Sequence, residues 1–325
     1  MSAARSLRVG TRASALALWQ TERVRGLLRE AGRETERVEV RTTGDLVQEV
    51  PLSSIGSRAL FTRQIDDAML EGRIDLAVHS LKDLPTLLPS GIALAAVSER
   101  EDPRDALVGR GGVRWADLPA GATLATSSLR RRAQLLYLRP DLRVADIRGN
   151  VDTRLAKLDA HEEWAAILLA TAGLVRLGLG HRIGERLPPE VMLPAPGQGA
   201  LAVTAREDDA DALATAREAL HHRPTALVVS AERAFLRRLE GGCQVPVAAL
   251  GELLDQGATP TLRLRGRVVS LLGEQAAEGT ASQPVSDEAG ADALGVALAE
   301  RLMGEGAAEI LAAVRAAASL PVTEP

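Results

Sequence analysis

The sequence predicts an α/β protein of two successive sheet-and-helix lobes followed by a small C-terminal α+β domain. Three observations predict it. Short apolar runs alternate with helix-spaced patterns through the first half of the chain, and a β-α-β-α-β order implies a parallel sheet with helices on both faces. The alternation restarts near residue 100, after the charged, proline-containing stretch Ser98–Arg104. The last third then changes to two strands and a long helical run, the mark of a separate α+β unit. A chain of 325 residues accommodates two or three such units.

In order, Leu7–Gly10 reads as a strand and Ser14–Ala31 as a helix, with Leu16, Leu18, Val24, Leu27 and Leu28 near helical spacing. Val38–Thr42 reads as a strand, Phe61–Leu70 as a helix and Ile74–Val78 as a strand. The second set has strands at Ala106–Val108, Thr123–Ala125, Val144–Ile147 and Ala166–Ala170, with helices at Ser128–Leu138 and Asn150–Asp159. Ser98–Arg104 is the expected crossing between lobes, and Leu193–Ala205 the return crossing. Helices are then expected at Ala210–Leu220 and Ala226–Leu239, strands at Val245–Leu254 and Thr261–Leu272, and helix over most of Asp287–Ala318. The expected domains are 1–98 with 200–220, then 99–199, then 221–325.

Composition narrows the function. Hydrophobic residues make up 46% and charged residues 25%, enough for an ordinary buried core. A net charge of −4 and three Trp, two Phe and one Tyr supply neither the basic field nor the stacking platform that nucleic acid requires. The longest uncharged stretch, Val191–Ala205, is interrupted by Pro194, Pro196, Gly197 and Gly199 and is too short to span a bilayer. Met1 to Arg8 has no apolar signal core, so the expectation is a cytoplasmic protein, binding neither nucleic acid nor membrane. A single cysteine, Cys243, excludes an internal disulfide, and the five histidines lack metal-ligand spacing, so no metal is expected. Of 39 basic residues only Lys82 and Lys157 are lysines, in a composition biased to Arg, Ala, Gly and Leu. A lysine retained against that bias invites a chemical reason.

Three strand-to-helix turns carry small polar and basic residues: Gly10-Thr11-Arg12-Ala13-Ser14, Thr126-Ser127-Ser128-Leu129-Arg130-Arg131-Arg132 and Arg148-Gly149-Asn150-Val151-Asp152-Thr153-Arg154. Turns at the carboxyl ends of parallel strands are where ligands bind, and helix N-termini favour anions. Each turn alone is explained by N-capping. Three arginine-bearing turns in two lobes point to a cleft for a polyanion. The segment His79-Ser80-Leu81-Lys82-Asp83 follows a strand directly and is either a capped loop with a local ion pair or a site with Asp83 as catalytic carboxylate and Lys82 as anion contact. Cys243 follows Gly241-Gly242, where a small buried hydrophobe and an attachment point are both open readings.

These stretches resemble the porphobilinogen deaminase (hydroxymethylbilane synthase) family. The matching motifs are V-G-T-R-A-S-A-L-A-L-W-Q at 9–20, R-T-T-G-D at 41–45, A-V-H-S-L-K-D-L-P at 77–85, A-T-S-S-L-R-R at 125–131, R-G-N-V-D-T-R-L at 148–155, L-P-A-P-G-Q-G-A-L-A-V at 193–203 and E-G-G-C-Q-V-P at 240–246, in family order over nearly the whole chain. The resemblance implies two lobes like type II periplasmic binding proteins and a third domain bearing the cysteine. It implies a dipyrromethane cofactor held as a thioether on Cys243. Onto it four porphobilinogen molecules are condensed, each losing ammonia, before hydrolysis frees hydroxymethylbilane for tetrapyrrole (haem) biosynthesis. By the same resemblance Asp83 is catalytic, and Ser80, Lys82, Thr126, Ser127, Ser128, Arg130, Arg131 and Arg154 bind the cofactor. Arg12, Ser14, Gln20, Arg148 and Arg176 bind the substrate. The expected partner is the small molecule porphobilinogen, with a monomeric enzyme passing its product to the next tetrapyrrole enzyme.

Two departures stand out. Many relatives read K-G-L-F-x-K-E where this chain has R-A-L-F-T-R-Q at 58–64, so a glutamate becomes Gln64. Asp152 stands where a small residue is common, which predicts weaker carboxylate binding beside it. The competing reading is a two-lobed anion receptor without catalysis, which leaves Asp83 and Gly242-Cys243 without a task.

Overall fold

The computed structural model describes residues 5–41, 62–239, 245–255, 257 and 259–319. The first sheet is built from β1 (Leu7–Thr11), β2 (Thr35–Glu39), β3 (Leu76–Ser80), β4 (Ile92–Val97) and β10 (Leu201–Arg206), in the order β2-β1-β3-β10-β4. The second holds β5 (Asp105–Gly109), β6 (Thr123–Ala125), β7 (Arg143–Ala145), β8 (Trp164–Ala170) and β9 (Glu185–Arg186), in the order β7-β6-β8-β5-β9. The third is an antiparallel meander of β11 (Val247–Leu253), β12 (Thr261–Val269) and β13 (Ala276–Pro284). The protein is therefore α/β, with two lobes and a small third domain.

Neither lobe sheet is wholly parallel, which corrects the sequence expectation. β2, β1 and β3 run parallel, but β10 lies antiparallel to both β3 and β4. In the second lobe β7, β6 and β8 are parallel and β5 is antiparallel to β8. The antiparallel strands are those the chain enters straight from a crossing. Having come from the other lobe rather than over a helix, they run the opposite way. The expected return crossing accordingly ends at Ala200, and its last residues belong to β10.

Period-2 alternation then buries both faces of each sheet. In the first lobe Leu7, Val9, Leu76 and Val78 pack against α1 (Ala15–Glu30) and α6 (Ala210–Leu220), while Ala77, Val38 and Val40 face α2 (Arg63–Leu70). In the second, Ala106, Val108, Ile167 and Leu169 meet Leu155 and Leu158 of α4 (Val151–Ala160) and Leu174 of α5 (Thr171–Arg176). Leu107, Leu124 and Leu168 face Leu135 of α3 (Leu129–Leu138) on the other side. Helix starts follow capping chemistry: the hydroxyls of Ser14 and Ser128 and the carboxylate of Asp209 accept from the backbone N–H three residues on.

The third domain packs α7 (Arg223–Arg238) and α8 (Glu288–Leu302) on its sheet, and α9 (Ala308–Ser319) follows. The mostly helical stretch expected here is divided at Met303–Ala307, where Gly306 takes φ +107°, a conformation that favours glycine. Several boundaries shift by a few residues: β2 begins three residues earlier than expected, β3 and β7 are displaced, and α7 begins at Arg223, with Pro224 in its first turn. β4, β9 and β13 were not expected. β13 is rich in Ala, Gly, Ser and Thr and lacks an apolar alternation. The start of the expected helix at Phe61 lies outside the described residues; α2 begins at Arg63.

The core of the third domain extends into the first lobe, joining Phe235, Leu227 and Val247 to Leu81, Leu84, Val97 and Ala202. Leu81 and Leu84 flank Lys82 and Asp83, so burying the two leucines turns the charged pair outward.

Candidate active site

Two adjoining cavities open between the lobes. The inner one, about 240 Å³, is bounded by Lys82, Asp83, Ser128, Arg130, Arg131 and Arg154 of the lobes and by Leu236, Val245 and Val247 of the third domain. The outer one, about 400 Å³, is bounded by Arg12, Ser14, Gln20, His79, Ser80, Arg148, Asp152 and Arg154 among others. Lys82, Asp83, Ser128, Arg131 and Arg154 line both. Nearly every sequence-predicted site residue within the described regions thus meets in one cleft.

Asp83 sits in a single 3-10 turn, Leu81–Asp83, between β3 and the buried Leu84. Arg233 of α7 steadies the following loop by donating to the Pro85 carbonyl at 2.8 Å. Asp83 is exposed to the cleft, in the field of Lys82 and Arg154. Lys82 donates to Gln198 Oε1 at 3.1 Å, and desolvation beside the Arg130 and Arg131 guanidiniums pushes its pKa down to about 8.

The two arginines of α3 are held by a carboxylate that sequence reasoning missed. Asp105, fully buried at the start of β5, accepts from Arg130 Nη1 at 2.7 Å and from Arg131 Nε and Nη2 at 3.1 and 2.7 Å. Those two cations hold its carboxyl well below the usual range despite burial. Gln198 Nε2 also donates to Asp105, at 3.0 Å, so a relay of polar contacts runs from Lys82 in one lobe to both arginines in the other. Arg131 additionally donates to the Leu168 carbonyl at 2.8 Å. Arg130 Nε is buried and, among the described residues, has no hydrogen-bond partner.

The remaining predicted residues divide. Gln20 donates to Ser80 Oγ at 2.9 Å, joining α1 to β3 under the outer cavity. Burial holds the pKa of Arg154 down to about 10, with Arg131 and Arg148 adding to the effect, and its Nε donates to the Gly149 carbonyl at 2.7 Å. Ser127 Oγ is engaged with the backbone of Ile147 and Thr126 Oγ1 with Ser128 N–H, which shapes the turn. Arg176 does not itself bound either cavity, although Gly173 and Leu177 beside it border the outer one. It donates to the Gly199 carbonyl at 2.6 Å, with its guanidinium 5.8 Å from the Trp19 ring, between the lobes. Cys243 and Arg58 lie outside the described residues. His79 is buried against Thr204, and burial with Arg12 nearby pushes its pKa down to about 4, so it is a neutral wall rather than a cation.

Gln198 and Glu232 are further residues the sequence reading did not assign. Glu232 is fully buried on α7 and pairs with Arg100 in the first crossing. It also accepts from Gly197 N–H at 2.7 Å in the return crossing and from Gly251 N–H at 2.8 Å in β11. The signal available for Gln198 was a lone polar side chain between Gly197 and Gly199 in an otherwise uncharged stretch. Those glycines take φ +74° and +94°, and a Cβ at Gly199 would strike the Glu101 carbonyl.

A cleft lined by arginines, with Asp83 where its two cavities join, is the arrangement the family resemblance implies, and comparison with known proteins decides the matter. The family model described as porphobilinogen deaminase, dipyromethane cofactor binding domain, matches residues 7–214, and the model of the porphobilinogen deaminase C-terminal domain matches 226–304. The chain belongs to the porphobilinogen deaminase family. The porphobilinogen deaminase of Desulforudis audaxviator is 52% identical over 97% of this chain and 99% of its own length. That of Geobacter metallireducens is 49% identical over 96% of each chain. Among solved structures, the methionine-binding protein MetQ aligns with 66% of this chain and 89% of its own at 13% identity and a TM-score of 0.41.

The residues present fit the dipyrromethane cofactor of this family. That group carries four carboxylates, and the inner cavity offers Lys82, Arg130, Arg131 and Arg154 against one acid, Asp83. The unpartnered, buried Arg130 Nε is a donor awaiting an acceptor.

Proposed function

We propose that this chain condenses four porphobilinogen molecules, with loss of ammonia, onto a covalently held dipyrromethane and then releases hydroxymethylbilane by hydrolysis. The observation that carries the reading is the continuous cationic cleft with Asp83 where its inner and outer cavities join. In this reading the domains are 1–98 with 200–220, 99–199 and 221–325, and the enzyme is a cytoplasmic monomer that hands its product to the next tetrapyrrole enzyme.

The bound dipyrromethane, a thioether on Cys243, supplies the free pyrrole carbon at which the chain grows. Lys82, Arg130, Arg131 and Arg154 hold its carboxylates, with Ser80, Thr126, Ser127 and Ser128 shaping the wall. Arg12, Arg148 and Ser14 receive the carboxylates of the incoming porphobilinogen, Gln20 supports them through Ser80, and Arg176 closes the lobes behind it. Asp83 accepts pyrrole N–H hydrogen bonds and stabilises the positive charge that develops as the aminomethyl C–N bond breaks.

Intact mass tests the reading. The purified protein is expected to exceed its sequence mass by two porphobilinogens less two ammonias, and the Cys243→Ser protein to match its own sequence mass, because a serine hydroxyl is a far poorer nucleophile than a thiolate. A wild-type protein at its sequence mass that binds porphobilinogen without consuming it would be an anion receptor instead.

A further inference from the structure

The outer cavity carries two carboxylates in a wall otherwise charged by Arg12, Lys82, Arg131, Arg148 and Arg154. Asp83 lines both cavities, whereas Asp152 lines the outer one alone. Asp152 is in the first turn of α4 and is exposed, and among the described residues its carboxylate has no hydrogen-bond or ion-pair partner. An acid in a first helical turn complements the helix dipole. That benefit is available on any side of the turn, and here the acid borders the cleft.

A second carboxylate weakens a cleft meant only for dicarboxylates, since like charges facing one another oppose binding. It becomes useful if the ligand also brings a cation. Porphobilinogen does: beside its acetate and propionate it carries a protonated aminomethyl group. Pyrrole units already joined to the chain have lost that group, so a counter-charge for it belongs in the cavity that receives new units and not in the inner one. The distribution of Asp83 and Asp152 over the two cavities has this asymmetry.

We propose that Asp152 receives the ammonium of the incoming porphobilinogen and so sets the orientation in which its carboxylates meet the arginines of the outer cavity. This rests on the reading of the cleft given under Proposed function. Pairing with Asp152 keeps the amine protonated. When the C–N bond breaks, its electron pair stays on nitrogen, ammonia leaves neutral, and the positive charge passes to the pyrrole methylene, where Asp83 answers it. The expectation that Asp152 merely weakens carboxylate binding is thereby replaced by a gain in selectivity for the amine-bearing substrate.

The test compares wild-type and Asp152→Asn holoenzymes with two ligands: porphobilinogen, and the pyrrole bearing the same acetate and propionate but hydrogen in place of the aminomethyl group. Loss of one charge-assisted hydrogen bond is expected to raise KM for porphobilinogen about tenfold. The inhibition constant of the amine-free pyrrole is expected to stay unchanged or to fall, and the resting mass of the holoenzyme to be unaltered. Asp152→Glu is expected to recover most of the loss. Equal shifts for the two ligands, or an unmoved KM, would overturn the assignment. Wild-type protein that does not turn over porphobilinogen at all would instead remove the functional reading beneath it.

Discussion

Arg100 grips Glu232 through two hydrogen bonds, 2.7 and 3.1 Å long, and by doing so ties the crossing between the two lobes to the third domain. The same carboxylate accepts backbone N–H groups from the return crossing and from β11. One buried side chain thereby anchors both connections between the lobes. Removing one partner of such a pair leaves a desolvated charge. Glu232→Ala is expected to lower stability by about 3–5 kcal/mol, read from denaturant unfolding. A loss below about 1 kcal/mol would show that water replaces the carboxylate.

Asp83→Asn keeps the shape of the side chain and removes its charge. The variant is expected to fold and to retain the mass of the loaded protein, but to turn over roughly 10²–10³-fold more slowly, the effect of one preorganised electrostatic contact. A loss under tenfold, measured as kcat, would make Asp83 structural.

Arg131 is fixed by Asp105 and the Leu168 carbonyl, whereas Arg12 stands on a turn of the other lobe that borders only the outer cavity. An arginine seating a permanent occupant is needed from assembly onward. One that receives arriving units is needed only for extension. Arg131→Leu is therefore expected to emerge without cofactor, and Arg12→Leu to carry cofactor but stall on brief exposure to porphobilinogen. Mass spectra showing a normal ladder of added pyrroles from Arg131→Leu would contradict this, as would cofactor-free Arg12→Leu.

Burial and the flanking guanidiniums disfavour the charged form of Lys82 and push its pKa down to about 8. Its folded pKa is lowered, so the ammonium that attracts carboxylates is present below about 8 and lost as pH rises through that value. Reconstitution of cofactor-free protein with porphobilinogen is expected to slow between about pH 7.5 and 9, and Lys82→Arg to move that fall to higher pH. Once cofactor carboxylates are in place they favour the charged form, so the loaded enzyme should show the fall at higher pH than the empty one. Identical alkaline limbs in wild type and Lys82→Arg would exclude Lys82 as the group responsible.

Much of the site was legible along the chain because its components are local. Ser14 and Ser128 announce helix starts, and the basic turns at Arg12, Arg130 and Arg148 follow strands whose ends face one cleft. Asp105 was not legible as a partner of Arg131: the two are 26 residues apart, and an aspartate opening a strand carries no mark of the cations it will meet. Glu232 lies 132 residues from Arg100 and looks, on α7, like any acid on a polar helix face.

Hydrophobic periodicity, capping residues and the order of motifs along the chain determined most helices and the strands that alternate with them, the two lobes with their small third domain, and the family; β4, β9, β10 and β13 escaped them. Those signals act over a few residues and survive without tertiary contacts. Tertiary structure alone decided that β10 inserts antiparallel beside β3, that Asp105 fastens Arg130 and Arg131, that Lys82 is desolvated and that Asp152 borders the outer cavity. Each of these depends on which distant groups share a low-dielectric space, and the free energy of a charge is set by those neighbours and by lost water rather than by its place in the chain.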